Sequence, residues 1–155
     1  MAQQIVYVLC GLPGSGKSTW CEMMTKKYAN TVIVSGDSMR HMVRGGPYTF
    51  DIDLEPAIDD AMRGIIQSFL AKGFDVIVDE PHLTKMQRAK ILLDMPRGVN
   101  VFCILFKDLG EENLNRRMAN HRGYSREHWA EVLEGMRKVY VPPTLEEGFD
   151  DIIYA

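Results

Sequence analysis

Short apolar runs alternate with longer amphipathic stretches along this chain. Residues 5–10 form a continuous apolar run that is rich in β-branched side chains and ends at a glycine, which is typical of a buried parallel strand. Further apolar runs of strand length lie at residues 31–35, 75–79, 99–106 and 150–154. The pattern therefore predicts about five strands.

Helical patterns fill the intervals between the predicted strands. They cover residues 17–28, a short segment that ends at residue 44, and residues 54–72, 84–94, 111–120 and 126–140. Pro56 and Gly73 lie where helix termini favour these residues, and Thr84 with Gln87 resembles a capping box. Because strands alternate with helices, we expect an α/β fold, a parallel sheet with helices on both faces. The length indicates a single domain of residues 1–155.

A glycine-rich segment follows the first predicted strand and opens the first predicted helix. Its residues, Gly11-Leu12-Pro13-Gly14-Ser15-Gly16-Lys17-Ser18, match the phosphate-loop pattern G-x-x-x-x-G-K-[ST]. The glycines let backbone N–H groups point at phosphates, and the helix N-terminus adds partial positive charge. Lys17 can reach the β and γ phosphates, and Ser18 offers a hydroxyl to Mg²⁺. We therefore expect ATP and Mg²⁺ as cofactors, with ATP held by Gly11, Pro13, Gly14, Ser15, Gly16, Lys17, Ser18 and Thr19.

Polar residues follow the other predicted strands, at the edge where parallel sheets bind their ligands. Asp79 ends the third strand in the form of a Walker B carboxylate, so it is the expected magnesium ligand together with Ser18. The adjacent Glu80 is an alternative ligand. His82 lies in the same loop, where we expect a surface histidine rather than a contact with the acceptor.

An Asp-x-x-Arg pair follows the second predicted strand. If Asp37 begins a helix, Arg40 lies on the same face three residues later. Asp37 can take or orient the proton of an attacking hydroxyl, and Arg40 can neutralise nearby phosphate charge. One alternative makes Asp37 only a helix N-cap and Arg40 a solvated residue. In another, Asp37 and Asp79 exchange roles.

A basic segment at residues 110–126 follows the fourth predicted strand. Its positive side chains are Arg116, Arg117, His121, Arg122 and Arg126. Such a segment can close over ATP as an arginine-rich lid, exclude water and stabilise charge in the transition state. Arg122 and Arg117 are the leading catalytic candidates, and Arg116 is the third. The alternative is a charged surface helix paired with Glu111, Glu112 and Glu127.

Composition narrows the classes of partner. The net charge of −3 and the pI of about 5.8 exclude a broadly basic nucleic-acid coat, so any contact with nucleic acid must be local. No apolar run reaches the roughly 18 residues of a membrane span, and the N-terminal residues lack the pattern of a signal peptide. We expect a cytoplasmic protein without a membrane partner, and the oligomeric state stays open. Tyr48 and Phe50 either stack on a base or anchor their own loop.

The motifs, taken in order, resemble those of the phage polynucleotide 5′-kinases and their P-loop kinase relatives. The resemblance rests on residues 11–20, Asp37-Ser38-Met39-Arg40, Val78-Asp79, the basic segment and residues 142–150. It implies a P-loop kinase fold and transfer of the ATP γ-phosphoryl group to the 5′-hydroxyl of DNA or RNA. It also implies that Asp37 is the general base, that Arg40 positions substrate and that a lid arginine contacts ATP. The sequence departs from the family pattern at Glu80-Pro81-His82 and in the five-residue spacing between Arg117 and Arg122.

Two other functions fit the same motifs. Residues 35–40 also resemble the acceptor-binding segment of adenylate kinases, which favours a nucleoside monophosphate kinase or another small-molecule kinase. A phosphate loop also occurs in nucleotide-gated switches without transferase activity. The Asp37 and Arg40 pair argues against a switch, because a switch needs no acceptor site.

Overall fold

The computed structural model describes residues 3–46 and 48–155, which include one five-stranded parallel sheet. The strands lie in the order β2-β3-β1-β4-β5. They are β1 (Ile5–Cys10), β2 (Thr31–Ser35), β3 (Asp75–Asp79), β4 (Asn100–Leu105) and β5 (Asp151–Tyr154). Central strand β1 is apolar on both faces because both faces are covered, which explains its unbroken hydrophobic run. The predicted α/β fold is confirmed.

The helices occupy the intervals that the sequence pattern predicts. They are α1 (Lys17–Lys27), α2 (Gly36–Arg44), α3 (Glu55–Ala71), α4 (Lys85–Leu93), α5 (Glu111–Met118) and α6 (Arg126–Val139), with a short 3-10 turn at Leu145–Glu147. Thr84 and Gln87 form the expected capping box at α4. No helix in the described part of the chain is long and apolar enough to cross a membrane.

The core lies in two layers, one on each face of the sheet. On one face, α3 packs a stripe with helical spacing against β1 and β3; the stripe is Ile58, Met62, Ile66 and Leu70. On the other face, Cys21 and Met24 of α1 pack against Leu9, Ile77 and Ile104. Burying each large aliphatic side chain contributes about 1.5–3 kcal/mol. Helices on both faces leave the carboxyl edge of the strands as the open edge for polar groups.

The strand register aligns the ends of β1, β2 and β3. Ser35 at the end of β2 is paired with Asp79 at the end of β3. The N–H of Gly11, directly after β1, donates to the carbonyl of Pro81 at 3.0 Å. The loop after β1, the start of α2 and the end of β3 therefore meet at one edge.

The expectation of a surface position for His82 is wrong. His82 is only 5% exposed, and its Nδ1 lies 2.6 Å from the carbonyl oxygen of Leu9 in β1. Its own carbonyl accepts from Nη1 of the fully buried Arg88. The loop after β3 runs beneath the loop after β1, so its polar groups need buried partners, and His82 supplies one. Burial lowers the pKa of His82 to about 4.

Arg88 joins this region to the C-terminal segment. Its Nε and Nη2 donate to the two carboxylate oxygens of Glu147 at 2.8 and 3.2 Å, and both side chains are almost completely buried. A buried ion pair with two hydrogen bonds fixes the relative position of its two side chains, but it adds little to the free energy of unfolding because both charges are desolvated. The pair holds the 3-10 turn and β5 in place beside β4.

Candidate functional site

The loop of residues 11–18, called the P-loop below, curls tightly between β1 and α1. Gly14 and Gly16 have φ values of 75° and 102°, in the left-handed region that favours glycine. The N–H of Ser15 donates to the carbonyl of Leu12 at 3.2 Å, which closes a turn within the loop. Successive amides in such a turn form a concave surface that suits an anion.

Lys17 covers the P-loop from the first turn of α1. Its Nζ donates to the carbonyl oxygens of Gly11 and Leu12 at 2.9 and 2.8 Å. Burial lowers the pKa of Lys17, while the nearby charges of Asp79 and Asp37 act in the opposite direction. The ammonium group is thus held inside the site rather than in bulk solvent.

The P-loop residues fit the phosphates of a nucleotide. The hydroxyl of Ser15 is buried and, within the part of the chain that the structure describes, has no hydrogen-bond partner. Ser18 and Thr19 are exposed on the first turn of α1. A buried hydroxyl without a partner, a fixed ammonium group and a helix N-terminus together form a site for several anionic oxygens.

Asp79 and Glu80 lie at the carboxyl end of β3. Burial raises the pKa of Asp79, and Lys17 opposes the rise. Burial also raises the pKa of Glu80, to about 7, against the charge of Arg40. In residues 3–46 and 48–155, no group of three or more His, Cys, Asp or Glu side chains could hold a metal ion. Mg²⁺ beside a nucleotide commonly has only one or two protein ligands, and Ser18 and Asp79 would supply them here together with phosphate oxygens.

Arg40 is surrounded by carboxylates. Its Nε and Nη2 donate to Glu55 at 2.8 Å each, its Nη1 donates to Asp37 at 2.9 Å, and Nη2 lies 3.4 Å from Glu80. The residue is 9% exposed, so the alternative of a solvated arginine is wrong. Three of its five N–H donors form hydrogen bonds to carboxylates, and Glu80 adds an ion pair, so Arg40 is a fixed support for Asp37.

The alternative of Asp37 as an N-cap is also wrong, because Ser35 caps α2 and accepts from the N–H of Ser38. Asp37 lies within the first turn and receives Nη2 of Arg122 at 2.7 Å in addition to Arg40. Burial acts to raise the pKa of Asp37, but the guanidinium groups of Arg122 and Arg40 outweigh it and lower the pKa. Asp37 is therefore an ionised carboxylate held from two sides.

The ring of Tyr48 packs against the guanidinium group of Arg122. The guanidinium carbon of Arg122 lies 4.2 Å from the centre of the Tyr48 ring, and the His41 ring lies 5.5 Å from it. Arg122 has a φ of 54°, which is uncommon for a residue with a side chain. The ring of Tyr48 thus makes a cation–π contact with Arg122 in this structure. Phe50, by contrast, is 54% exposed.

The arginine-rich segment divides between the site and the surface. Nη1 of Arg116 lies 3.9 Å from the position that a Cβ on Gly16 would take, so Arg116 borders the P-loop. Arg117 lies over the ring of Trp129 at 4.2 Å, and its Nε and Nη2 are buried without a hydrogen-bond partner in the described residues. Arg126 pairs with Glu111, as the surface alternative expects.

Burial and the charge of Arg122 lower the pKa of Arg117. A buried guanidinium that lacks a carboxylate partner is costly unless an anion completes its hydrogen bonds. In the described residues, Arg117 therefore has buried donors that a ligand could engage, whereas three donors of Arg40 already bind carboxylates.

Two site residues escape sequence analysis. Glu55, which holds Arg40, lies in a chain segment with several acidic residues and carries no motif. Asn113 is fully buried, although it lies in a charged helix where a solvent position is expected. Its Nδ2 donates to the carbonyl of Pro13 in the P-loop at 3.0 Å.

A cavity of about 470 Å³ adjoins the start of the P-loop. It opens between the ends of β4 and β5 and the C-terminal part of α6, and its walls include Gly11, Phe106, Asp108, Arg137 and Tyr154. Arg137 and Asp108 form a two-point ion pair at its rim, with distances of 2.8 and 3.0 Å. The cavity has the size of a small-molecule site.

Comparisons with known proteins identify the family and the fold of the chain. A model of the AAA_33 family, described as an AAA domain, matches residues 6–143. The chain is 29% identical to a probable UMP-CMP kinase 1 of Arabidopsis thaliana, over 91% of this chain and 72% of that protein. It is 32% identical to an adenylate kinase of Methanothrix thermoacetophila, over 74% of this chain and 58% of that protein. The chain thus spans little more than half of the second relative.

Solved structures share the fold at low sequence identity. A chain of the Pnkp1/Rnl/Hen1 RNA repair complex aligns with a TM-score of 0.70 and 18% identity, over 94% of this chain and 50% of that chain. The APS kinase of Mycobacterium tuberculosis aligns with a TM-score of 0.69 and 17% identity, over 99% of this chain and 90% of that chain. Since the family model covers most of the sequence, the chain belongs to the AAA_33 family, and its five-stranded parallel sheet has the P-loop kinase fold.

Proposed function

We propose that this protein is an ATP-dependent phosphotransferase. The observation that carries the proposal is that three charged groups, Lys17, Asp79 and Asp37, converge beside the P-loop. Lys17 donates to the loop carbonyls, and the charges of Asp79 and Asp37 act on its ammonium group. A nucleotide switch needs the lysine and a magnesium-binding carboxylate such as Asp79, but Asp37 adds a further carboxylate on the acceptor side.

ATP is held along the P-loop in this proposal. The backbone amides and Lys17 bind the phosphates, and the cavity of about 470 Å³ beside Gly11 takes the base. Ser18 and Asp79 hold Mg²⁺, which neutralises phosphate charge during transfer. Arg116 borders Gly16 and so acts on the ATP side of the site.

The acceptor approaches Asp37 from the side of α2. Arg40 and Arg122 hold the carboxylate in place, and Asp37 orients or accepts the proton of an attacking hydroxyl. Arg117, whose buried N–H groups have no partner among the described residues, supplies positive charge to the transferred phosphoryl group. Residues 119–125 include Arg122, which places this segment beside Asp37 on the acceptor side of the site.

Two acceptor classes are supported by different observations. The clamped Asp37 and the engaged Arg40 favour a neutral hydroxyl, such as the 5′-hydroxyl of DNA or RNA. The relatives with the higher sequence identity have the names of UMP-CMP and adenylate kinases, which favours a nucleoside monophosphate. The comparisons support the second class better, since the likeness to the RNA repair complex concerns the fold alone.

One experiment separates the two classes. The protein is incubated with γ-labelled ATP and Mg²⁺, together with 5′-hydroxyl oligonucleotides, with nucleoside monophosphates, or without acceptor. Label on oligonucleotides supports the hydroxyl class, and label on monophosphates with unlabelled oligonucleotides supports the monophosphate class. ATP binding without transfer to either acceptor would contradict both and favour a switch.

A further inference from the structure

Asn113 joins helix α5 to the P-loop. It is fully buried, its Nδ2 donates to the carbonyl oxygen of Pro13 at 3.0 Å, and its Oδ1 accepts from the N–H of Leu109 at 2.6 Å. Both polar ends of the amide are thus satisfied by main-chain groups 100 and 4 residues away. A buried amide with two directional bonds fixes whatever backbone it contacts.

The bond to Pro13 sets the direction of one phosphate-loop amide. The Pro13–Gly14 peptide is trans, so its carbonyl and its N–H point in opposite directions. Because Asn113 binds the Pro13 carbonyl from the side of α5, the N–H of Gly14 points away from that helix. We take this inner side of the loop as the concave surface where phosphate oxygens bind.

The backbone of α5 also touches the P-loop directly. A Cβ on Gly14 would lie 2.2 Å from the backbone oxygen of Asn113, so only glycine permits this approach. One turn later the same helix places Nη1 of Arg116 beside Gly16. Helix α5 is therefore a fixed wall of the nucleotide site.

We propose that Asn113 is a positioning residue for ATP: it aims the Gly14 N–H at the phosphates and fixes α5, with Arg116, against the P-loop. The proposal depends on ATP binding at the P-loop, as proposed above. Asn113 touches main-chain groups on both sides, so it acts through the loop and the helix. Its side chain reaches no reacting atom.

The test replaces Asn113 by aspartate, which has the same shape and keeps an acceptor for the Leu109 N–H. The new carboxylate cannot donate to Pro13 and instead faces its carbonyl oxygen with a negative charge. The matched control is Asn115→Asp on the exposed side of the same helix. Measurements are the Kd for ATP by titration calorimetry, together with KM and kcat for ATP and for the acceptor.

We expect Asn113→Asp to raise the Kd and the KM for ATP about tenfold or more, as for loss of a buried hydrogen bond with an unfavourable charge. The KM for the acceptor stays close to that of the parent, and Asn115→Asp binds ATP as the parent does. Equal ATP affinity in the parent and in Asn113→Asp overturns the inference and leaves the proposed function standing. A parent protein that fails to bind ATP overturns the proposed function itself.

A second measurement needs no variant and covers the case in which Asn113→Asp does not fold. In the parent protein, the backbone amide resonance of Gly14 is followed by NMR while ADP is added. An inward N–H predicts a large shift and slower hydrogen exchange for Gly14, with little change at Gly135 in the exposed part of α6. A Gly14 amide that does not respond to bound ADP contradicts the inference.

Discussion

At the scale of single residues, the neighbours of a side chain decide its role. Arg40 and Arg117 carry the same charge, yet Arg40 is engaged by Asp37, Glu55 and Glu80, whereas two buried nitrogens of Arg117 have no partner in the part of the chain that the structure describes. A phosphate that reaches Arg117 would therefore satisfy donors that have no partner in the described residues. Asp37 is ionised and held by two arginines, so it is the candidate, in the proposed reaction, for the group that accepts or orients the proton of the attacking hydroxyl.

Replacing Asp37 by asparagine tests that role. We expect phosphoryl transfer to fall by about 10²–10⁴-fold, because a proton acceptor is lost. ATP affinity changes little, since Asp37 bonds to Arg40 and Arg122 rather than to the P-loop. Steady-state rates and ATP titration measure both quantities, and Asp59→Asn on the exposed face of α3 is the control. A near-parental transfer rate in Asp37→Asn would remove Asp37 from the mechanism.

At the scale of elements, close contacts between backbones decide where glycine is needed. Gly14 combines a φ of 75° with the approach of α5, and Gly36 leaves room for Glu80, whose Oε1 lies 1.4 Å from the position of a Cβ there. Gly135 lies inside α6, and no atom of residues 3–46 and 48–155 lies within 4 Å of its Cβ position. The three glycines therefore differ in function although they look alike in the sequence.

Alanine substitution separates these cases. Gly14→Ala is expected to lower the free energy of unfolding by about 1–3 kcal/mol and to weaken ATP binding, because the new methyl group collides with Asn113 and the φ is strained. Gly135→Ala is expected to raise the free energy of unfolding by about 0.5–1 kcal/mol through helix propensity. Urea denaturation and ATP titration of both variants test this contrast, and a Gly14→Ala protein as stable as the parent contradicts it.

At the scale of the whole molecule, the loop after β3 holds two titratable groups, His82 and Glu80, that respond to pH in opposite directions. His82 has a lowered pKa of about 4, so the unfolded chain binds its proton first as pH falls below about 6.5. Stability from His82 is therefore present above that pH and is lost toward pH 4. Glu80 has a raised pKa of about 7, so the folded state binds its proton first, and stability from Glu80 grows as pH falls.

The two effects are separated by variants measured between pH 7 and pH 4.5. Relative to the parent, His82→Gln should gain free energy of unfolding as pH falls, by up to about 3 kcal/mol over the full titration. Glu80→Gln should lose it over the same range. Urea denaturation at several pH values gives both slopes, and the exposed His128→Gln is the control. Parallel pH profiles of His82→Gln and the parent would show that the His82 shift is absent.

Much of the fold was predictable from periodicity. The apolar runs gave five strands to within a residue, and the capping box at Thr84 and the P-loop followed from residue types at fixed spacing. The arginine-rich segment was predicted as a unit. Which of its arginines border the P-loop and which pair with surface carboxylates was not predicted, because Arg116, Arg117 and Arg126 look alike along the chain. His82 was misplaced because burial of a loop residue leaves no periodic trace.

The sequence by itself determined the elements, their alternation and the phosphate loop, because these depend on local patterns and on glycine and lysine at set intervals. Only the tertiary structure decided that Glu55 holds Arg40, that Arg122 reaches Asp37 across 85 residues and that Asn113 bonds to Pro13 across 100. Each of these contacts joins segments that are distant in the chain. Their geometry is fixed by the packing of helices on the sheet, and no local pattern of residues encodes it.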